Sequence, residues 1–504
     1  MRFGHFTISC FCSLLLAAPV LSAEVRLPQL LSDHAVLQRE DPIHIWGWSA
    51  AMEKVQVEFH SQKRSTVANQ HGEWELWLAP ESAGGPFTLR VTGESGTPIV
   101  YNDMLVGDVW LASGQSNMEM PLKGFNPGTL VKNGAAEISA ANLPQVRLLL
   151  VKKKTSNFPV DDISGNWTLC TPDTAPDFSA VGYFFGRELQ QKEHVPIGVI
   201  DSTWGGTPVE AWTSMDALTA DANLMPVFVT WSHLADEQTE VPAMLAEEKL
   251  EDAAAERAHQ PKPQHPWHLF SEAWGPDQLY NGMIAPLTRY GIKGVIWYQG
   301  ETNTPPSRAP LYNRLFSTMI ADWRSDWKQG DFPFLFVQIS SYRVPIDTWG
   351  VVRDQQRRTL SVANTAMAVT IDVGDPDNIH PADKETVGAR LALAAEAMVY
   401  APGKGLEYSG PLYRRVTREG SGLRVYFDHA GSELHVRGDK LLGFEIAGKD
   451  HSFMPASAII EGKTVLVYSP EVPDPVSVRY GWQNLTDGNL YNTSGLPAST
   501  FTSE

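Results

Sequence analysis

The amino-acid sequence predicts an α/β fold, with a parallel sheet covered by helices on both sides in the middle of the chain and β-rich regions at its two ends. Two observations support this fold class. Near both ends, hydrophobic and polar residues alternate with period two, as they do in half-buried strands of antiparallel sheets. In the middle, short apolar runs alternate with helical patterns, which is typical of a buried parallel sheet.

The length and the charge of the chain limit the classes of protein to be considered. At 504 residues the chain is long enough for two to four folded units. It contains 43% hydrophobic and 19% charged residues and has a formal net charge of −18 at pH 7, which fits a globular protein. The longest run of Lys and Arg has only three residues, at 152–154, so nucleic acids and anionic membranes are not expected as partners. The pattern does not predict the oligomeric state.

The segment 1–23 has the pattern of an export signal peptide. Arg2 gives it a positive start, an apolar stretch follows, and small residues precede position 24. The apolar stretch is shorter than a membrane span, although an uncleaved anchor is the alternative. Cleavage removes Cys10 and Cys12 and leaves only Cys170, so the mature protein has no internal disulfide. We therefore expect a secreted or periplasmic protein that has no membrane contact after cleavage.

Period-two alternation marks the regions 24–104 and 403–504, which are predicted to be β-rich, sandwich-like domains. Glycine-rich and proline-rich turn signals separate the alternating segments. Representative apolar positions are Val55, Val57 and Phe59 in the first region and Leu423, Val425 and Phe427 in the second. The expected role of these domains is structural support, with carbohydrate contact as the alternative.

The region 105–402 is predicted to be the domain that contains the parallel sheet. Its candidate strands are five apolar runs, most of which are bounded by Gly, Pro or Asp, at 109–112, 197–200, 294–298, 334–339 and 366–371. Helical patterns lie between them, and the stretch 384–399 is one example. The stretch 214–276 is charged and partly Ala-rich and is predicted to be a helical insertion, to which the sequence assigns no function.

Polar segments follow four of these runs directly. Because ligands bind beyond the carboxyl ends of parallel strands, the four segments are the candidate site. They supply a serine, a pair of glycines, a glutamine, and an aspartate with a histidine, which together are the groups that acyl transfer needs. The segments are 113–118, 201–207, 299–303 and 372–381.

Ser116, His380 and Asp377 are the candidate catalytic residues. A serine hydroxyl is a weak nucleophile that needs an adjacent base, and a histidine has an ordinary pKa near working pH. Asp377 comes three residues before His380, so its carboxylate is expected to reach the second imidazole nitrogen and stabilise the imidazolium. The alternative for Ser116 taken alone is a helix N-cap. The matching groups at three other strand ends favour the nucleophile.

The tetrahedral intermediate of acyl transfer also needs hydrogen-bond donors for its oxyanion. The candidates are the Ser116 backbone N–H, one N–H from Gly205 or Gly206, and the Gln299 side-chain amide. Removal of one such donor typically slows a reaction ~10²–10³-fold. Which of the two glycines donates is left open by the sequence.

Four motifs in this order resemble the sialate O-acetylesterase family, a branch of the SGNH hydrolases. They are Gly-Gln-Ser-Asn-Met at 114–118, Gly-Gly-Thr-Pro at 205–208, Trp-Tyr-Gln-Gly-Glu at 297–301 and Asp-x-x-His-Pro at 377–381. The resemblance covers most of the mature chain. It implies a three-layer α/β/α SGNH-hydrolase domain flanked by β-rich domains, and an esterase that removes O-acetyl groups from a sugar without a metal or other cofactor.

In that family the residues matching Ser116, Asp377 and His380 form a triad. Other residues of the motifs are expected to support the site through hydrogen bonds, namely Gln115, Asn117, Glu301 and Asn303. Gln299 stands where the wider SGNH superfamily usually has asparagine, although glutamine is normal in this branch. Arg353 is a candidate contact for an acidic substrate.

Three other types of site fit the sequence less well. A lipase-like α/β-hydrolase is not favoured, because the segment around Ser116 lacks the second glycine of the nucleophile elbow. A calcium loop is not favoured, because EF-hand spacing is absent around the aspartates of 372–383. His259, His265 and His268 are better explained by a Pro-rich surface loop than by a metal site.

The substrate is left open among acetylated sugars. Sialic acid is the default substrate of the family, and acetylated plant polysaccharide such as xylan or xyloglucan is the first alternative. The second alternative is a carbohydrate-binding protein whose hydrolase domain is inactive. The motifs do not separate the two substrates, because the acetyl group is the same in each.

Overall fold

The structure is a computed structural model that describes residues 24–94, 96–263, 265, 271–345 and 348–504. The predicted export signal at 1–23, with Cys10 and Cys12, lies outside the described residues, as does His268. Within the described ranges, no helix combines the length and the apolar character that crossing a membrane requires.

In the described part of the chain, six strands precede the central sheet. Burial alternates along β3 and β5, as the period-two pattern predicts, and Val55, Val57 and Phe59 of β3 are all buried. One pair, β2 with β5, is separate, whereas β3 pairs with both β4 and β6. The strands are β1 (Val36–Gln38), β2 (Ile43–Trp48), β3 (Lys54–Phe59), β4 (Gln62–Val67), β5 (Glu73–Leu78) and β6 (Gly84–Thr92).

Strand β7 (Ile99–Gly114) connects the N-terminal region to the central sheet. Its first half pairs with β6, and its second half pairs with strands of the central sheet. The domain boundary predicted between residues 104 and 105 therefore lies inside one continuous strand. Every residue from Met104 to Gly114 is buried, so this strand has the continuous apolar burial of a central parallel strand.

The central sheet confirms the predicted mixed α/β architecture with parallel strands. Its order is β13-β12-β11-β7-β10-β8-β9, and only β9 runs antiparallel to its neighbour. All five predicted runs overlap strands of this sheet, and the runs 334–339 and 366–371 extend one and two residues beyond the ends of β12 and β13. The strands that follow β7 are β8 (Leu143–Leu150), β9 (Trp167–Cys170), β10 (Ile197–Thr203), β11 (Gly294–Tyr298), β12 (Phe334–Gln338) and β13 (Thr365–Val369).

Among the described residues, ten α-helices connect or follow these strands. Helix α3 packs against α10, and α8 packs against α9. Four of the helices, α4 to α7, lie in the predicted insertion at 214–276. The helices are α1 (Ser116–Glu119), α2 (Gly134–Ala140), α3 (Ala180–Glu193), α4 (Met215–Ala220), α5 (Met225–Glu237), α6 (Val241–Arg257), α7 (Ser271–Trp274), α8 (Tyr312–Trp327), α9 (Trp349–Thr359) and α10 (Lys384–Ala395).

The C-terminal region is β-rich, as predicted. Its three sheets have the orders β14-β15-β20-β19, β16-β22 and β18-β17-β21-β23. The strands are β14 (Leu412–Glu419), β15 (Gly422–Asp428), β16 (Leu434–Val436), β17 (Phe444–Ala447), β18 (Met454–Pro455), β19 (Ser457–Glu461), β20 (Thr464–Tyr468), β21 (Ser477–Tyr480), β22 (Leu490–Asn492) and β23 (Phe501–Thr502).

The order of the central strands determines which loops can meet. Strand β7 lies between β10 and β11, so the segments after these three strands are direct neighbours at one edge of the sheet. Strand β13 is separated from β7 by β12 and β11. The segment 370–383 therefore has to extend past two strand ends before it reaches the segment that follows β7.

Candidate active site

Ser116 is held at a sharp turn between β7 and α1. Gly114 has φ +130, and a Cβ atom there would lie 2.2 Å from the Tyr298 carbonyl oxygen, so only glycine fits. The Gln115 N–H donates to the same carbonyl at 3.0 Å. Ser116 is the first residue of α1, and Gln115 precedes it at the N-cap position. The serine hydroxyl thus does not cap the helix and is available for another partner.

That partner is His380. The imidazole Nε2 lies 2.8 Å from Ser116 Oγ. The Asn378 side chain accepts from the His380 backbone N–H at 2.9 Å, which fixes the turn that carries the ring. The structure therefore brings together the predicted nucleophile and the predicted base, which come from segments 264 residues apart in the chain.

Burial, together with the smaller effect of the nearby positive charge of Lys384, lowers the pKa of His380 to about 4. At neutral pH the imidazole is therefore uncharged, which is the form that accepts a proton from serine. No described residue donates to or accepts from its Nδ1 atom, so no carboxylate opposes this lowering.

Asp377 is not placed at His380, and this part of the predicted triad needs a correction. Its carboxylate binds the guanidinium of Arg343, with Oδ1 2.7 Å from Nη1. The Asp377 side chain is 78% exposed. The physical reason is that the nearby cation competes for the carboxylate, and sequence spacing alone does not reveal a cation from another loop.

The two glycines of the oxyanion prediction differ in the structure. The Gly205 N–H donates to the Glu119 carboxylate, so it is not free for an oxyanion. No described residue accepts from the N–H groups of Gly206 or Ser116. A Cβ atom at Gly205 would lie 3.0 Å from the Ser116 Cβ, which shows how closely this loop approaches the serine. The geometry thus favours Gly206 over Gly205 as the second donor.

Gln299 needs the second correction. Its side-chain nitrogen donates to the Thr207 carbonyl at 3.2 Å and to Asn303 Oδ1 at 2.6 Å, which uses both of its N–H groups. Its side-chain oxygen accepts from the Tyr312 hydroxyl at 2.9 Å. Gln299 is fully buried. It therefore connects the loops that follow β10 and β11 instead of presenting an N–H to an oxyanion.

Gln115 and Asn303, which the sequence analysis expected to support the site, form hydrogen bonds to neighbouring segments. Gln115 Oε1 accepts from the backbone N–H groups of Gly300 and Thr302, at 3.3 and 3.2 Å. Asn303 accepts from the Val209 N–H at 3.1 Å. These bonds hold the segments after β7, β10 and β11 together.

Asn117 connects the serine loop to the histidine loop. Its side-chain nitrogen donates to the Ile379 carbonyl at 3.0 Å and to Glu301 Oε1 at 2.5 Å. Its oxygen accepts from Lys384 Nζ at 2.5 Å. Because Asn117 follows Ser116 and Ile379 precedes His380, this side chain fixes the distance between nucleophile and base.

The charges at the two ends of this network are buried. Burial lowers the pKa of Lys384 to about 7, and it raises the pKa of Glu301. Glu301 Oε2 has no hydrogen-bond partner among the described residues. Sequence reasoning missed Lys384, because a lysine in the first turn of a helix is ordinarily exposed to solvent.

Phe125 is a second residue that the sequence did not indicate. Its ring contacts the His380 ring edge-on, with the centroids 5.1 Å apart. The side chain is 38% exposed, so it covers the imidazole while it also faces solvent. The only sequence signal is a lone aromatic residue in a Gly- and Asn-containing turn, and such residues are common.

Two other sequence predictions have different outcomes. Arg353 is fully buried and donates to the Gln483 carbonyl, so it does not meet a substrate at the surface. Asp372 belongs to the segment that was considered as a calcium loop. Its two carboxylate oxygens accept hydrogen bonds from the Arg390 guanidinium, at 2.7 and 2.8 Å. That carboxylate therefore has a structural role in this arrangement.

The pH dependence of turnover is expected to follow the imidazole of His380. Below its pKa the ring is protonated and does not accept the serine proton, so kcat/KM falls on the acid side. In Phe125→Ala the ring becomes more exposed, which raises its pKa towards the ordinary value of about 6.5. We expect the acid limb of kcat/KM for p-nitrophenyl acetate to move to higher pH in this variant.

A matched control is Phe158→Ala, since Phe158 is 78% exposed and has no contact with His380. This control should keep the wild-type pH profile. Identical acid limbs for Phe125→Ala and wild type would show that burial under Phe125 does not set the pKa.

Comparisons with known proteins identify the family of this chain. Residues 268–397 match the family described as carbohydrate esterase, sialic acid-specific acetylesterase. The chain is 31% identical to mouse sialate O-acetylesterase, over 94% of this chain and 94% of the mouse protein. It is also 31% identical to the human sialate O-acetylesterase, over 94% of this chain and 92% of the human protein.

A solved structure is also similar over nearly the whole chain. It is the crystal structure of a carbohydrate acetylesterase from Xanthomonas citri, with a TM-score of 0.81 and 38% sequence identity. The match covers 95% of this chain and 99% of the Xanthomonas chain. The overall fold is therefore shared over nearly the whole chain.

Proposed function

Since this chain belongs to the sialate O-acetylesterase family and is an esterase, we propose that it removes O-acetyl groups from sialic acid through an acetyl-serine intermediate. The observation that carries the proposal is the 2.8 Å contact between His380 Nε2 and Ser116 Oγ. A hydroxyl bonded to a neutral imidazole is the arrangement of an activated serine nucleophile.

The first half of the reaction transfers the acetyl group to the enzyme. His380 Nε2 takes the hydroxyl proton while Ser116 Oγ attacks the acetyl carbonyl carbon, and the carbonyl oxygen becomes an oxyanion. The N–H groups of Ser116 and Gly206 are the donors that stabilise this oxyanion. The intermediate then expels the sugar oxygen, which takes the proton from His380, and Ser116 carries the acetyl group as an ester.

The second half releases acetate. His380 takes a proton from water, whose oxygen attacks the acetyl carbon of the serine ester. The second tetrahedral intermediate uses the same two backbone donors. It expels Ser116 Oγ, which recovers the proton from His380, so acetic acid leaves and loses its proton to water to become acetate, and the enzyme returns to its starting state.

The proposal includes the organisation and the location of the protein. We assign the catalytic region 105–402 to a three-layer α/β/α SGNH-hydrolase domain flanked by the β-rich regions 24–104 and 403–504. The pattern of residues 1–23 supports export to the periplasm or the medium. Transport of the full-length chain in a bacterial host, followed by N-terminal sequencing of the product, tests the export step.

The substrate is tested by acetate release from a panel of acetylated glycans. Purified wild-type protein is incubated with O-acetylated sialic acid, acetylated xylan and acetylated xyloglucan at equal acetyl concentration. The proposal expects the highest kcat/KM on sialic acid. A preference for xylan or xyloglucan would reassign the substrate to plant polysaccharide, and glycan binding without acetate release from any of the three would indicate an inactive binding protein.

A further inference from the structure

The ion pair of Arg343 and Asp377 joins the segment after β12 to the loop that carries the catalytic histidine, and it has no role in the reaction steps described above. Arg343 Nη1 and Asp377 Oδ1 are 2.7 Å apart, and the two side chains are 64% and 78% exposed. Asp377 is only three residues from His380. A cation is thus exposed at the edge of the active site.

The backbone on the arginine side of this ion pair is fixed. The Tyr342 N–H donates to the Asn484 carbonyl at 3.1 Å, and the Asn484 side chain donates to the Val344 carbonyl at 3.2 Å. Arg343 lies between these two anchor points, and its own N–H donates to the Pro376 carbonyl at 3.2 Å. The segment 342–344 therefore holds Arg343 beside the loop that carries Asp377.

The backbone on the histidine side is also fixed, because Asn117 binds the Ile379 carbonyl. The Asp377 carboxylate, in contrast, has Arg343 as its one side-chain partner among the described residues. Rotation of the Asp377 side chain therefore disturbs few other contacts, whereas movement of either backbone segment would break several.

The predicted partner of the Asp377 carboxylate is His380, whereas its partner in the structure is Arg343. The imidazolium that forms during acyl transfer is stabilised by a carboxylate at Nδ1, and this atom of His380 has no partner in the described part of the chain. An exposed ion pair favours the paired state of its two side chains over the unpaired state by only about 1.5- to 5-fold. A second carboxylate that binds Arg343 would be enough to release Asp377.

We propose that Arg343 binds the carboxylate group of the sugar substrate and that this binding releases Asp377 to His380 Nδ1. The inference rests on the proposed function, since sialic acid carries a carboxylate and a neutral xylan chain does not. Arg343 then has two effects, because it anchors an anionic sugar and it couples the binding of that sugar to completion of the triad.

The test compares two substrates that differ only in this charge, namely O-acetylated sialic acid and its methyl ester. Acetate release is measured for wild type and for Arg343→Gln. We expect wild type to prefer the free acid, and we expect the variant to lose at least about ten-fold of that preference, because a charge-assisted bond is lost. Turnover of the methyl ester should rise about 1.5- to 5-fold in the variant, since Asp377 is no longer held by Arg343.

A matched control is Arg418→Gln, because Arg418 forms an equally exposed ion pair with Asp474 on the C-terminal sheet. It should keep both the preference and the turnover of wild type. An unchanged preference in Arg343→Gln would overturn the inference, and so would an equal loss on both substrates, which indicates a structural role.

Failure of the proposed function gives a different result. Wild type would then release acetate from neither sialic acid substrate but would still hydrolyse p-nitrophenyl acetate.

Release of the Asp377 side chain from Arg343 is tested with p-nitrophenyl acetate alone, because this ester carries no charge. Faster turnover in Arg343→Gln that disappears in the double variant with Asp377→Asn supports the release step, and equal turnover in all three proteins contradicts it.

Discussion

Ser116→Ala is expected to lower the kcat for acetyl esters about 10⁶-fold while the protein stays folded. The substitution removes the atom that attacks the acetyl carbon. No other hydroxyl among the described residues forms a hydrogen bond with His380 Nε2. The backbone N–H groups of residues 116 and 206 remain, so weak turnover above the rate in water should persist. Acetate release and p-nitrophenyl acetate hydrolysis measure the loss.

Ser113→Ala is the matched control for this variant. Ser113 lies on β7, three residues before Ser116, and is buried, and its hydroxyl donates to the Ser202 carbonyl at 2.6 Å. The control should keep its turnover, although it loses this hydrogen bond. Turnover of Ser116→Ala close to that of Ser113→Ala would remove Ser116 from the mechanism.

His380→Gln is expected to be about as slow as Ser116→Ala, because the serine hydroxyl then has no base. The two residues act as one unit, so their effects should not add. The double variant is expected to be no slower than either single variant. Turnover is measured for the three proteins on one neutral ester, with circular dichroism as the check of folding.

A multiplicative loss in the double variant would contradict this account. It would show that Ser116 and His380 act in separate steps, in spite of the 2.8 Å between them. A large loss of turnover in only one of the two single variants, with wild-type turnover in the other, would also show that Ser116 and His380 do not act as one unit.

The central sheet was predictable because its strands are buried on both faces. Such strands have continuous apolar runs, and the five predicted runs correspond to β7, β10, β11, β12 and β13. Strand β8 was missed, since Pro144, Gln145 and Arg147 interrupt its apolar run. Arg147 is nevertheless buried, with its guanidinium bound to Asp103 at 3.0 Å. The local hydrophobic pattern of β8 does not show that the charge of Arg147 is neutralised by Asp103, which lies far away in the sequence.

The domain boundary was harder to predict than the strands. The period-two pattern ends near Met104, but the strand itself continues to Gly114. The change of pattern reflects a change of neighbours, from β6 to β10 and β11, and not a break in the chain. Sequence periodicity reports burial, and burial can change within one strand.

The site was predictable to the extent that it depends on strand order. Ser116 and His380 meet because their segments lie at one edge of the sheet. The partner of Asp377 was not predictable, since it depends on Arg343 from the segment after β12. The buried position of Lys384 was not predictable either, because it depends on Asn117 and Glu301, which belong to two other segments.

Detection of acetyl-Ser116 during turnover would establish Ser116 as the nucleophile. Wild-type enzyme is mixed with p-nitrophenyl acetate and quenched rapidly, and its peptides are analysed by mass spectrometry. We expect one acetyl group on the peptide that contains Ser116, together with a burst of p-nitrophenolate that does not exceed the enzyme concentration. Turnover without acetylation of this peptide, or with acetylation of a different residue, would contradict this role of Ser116.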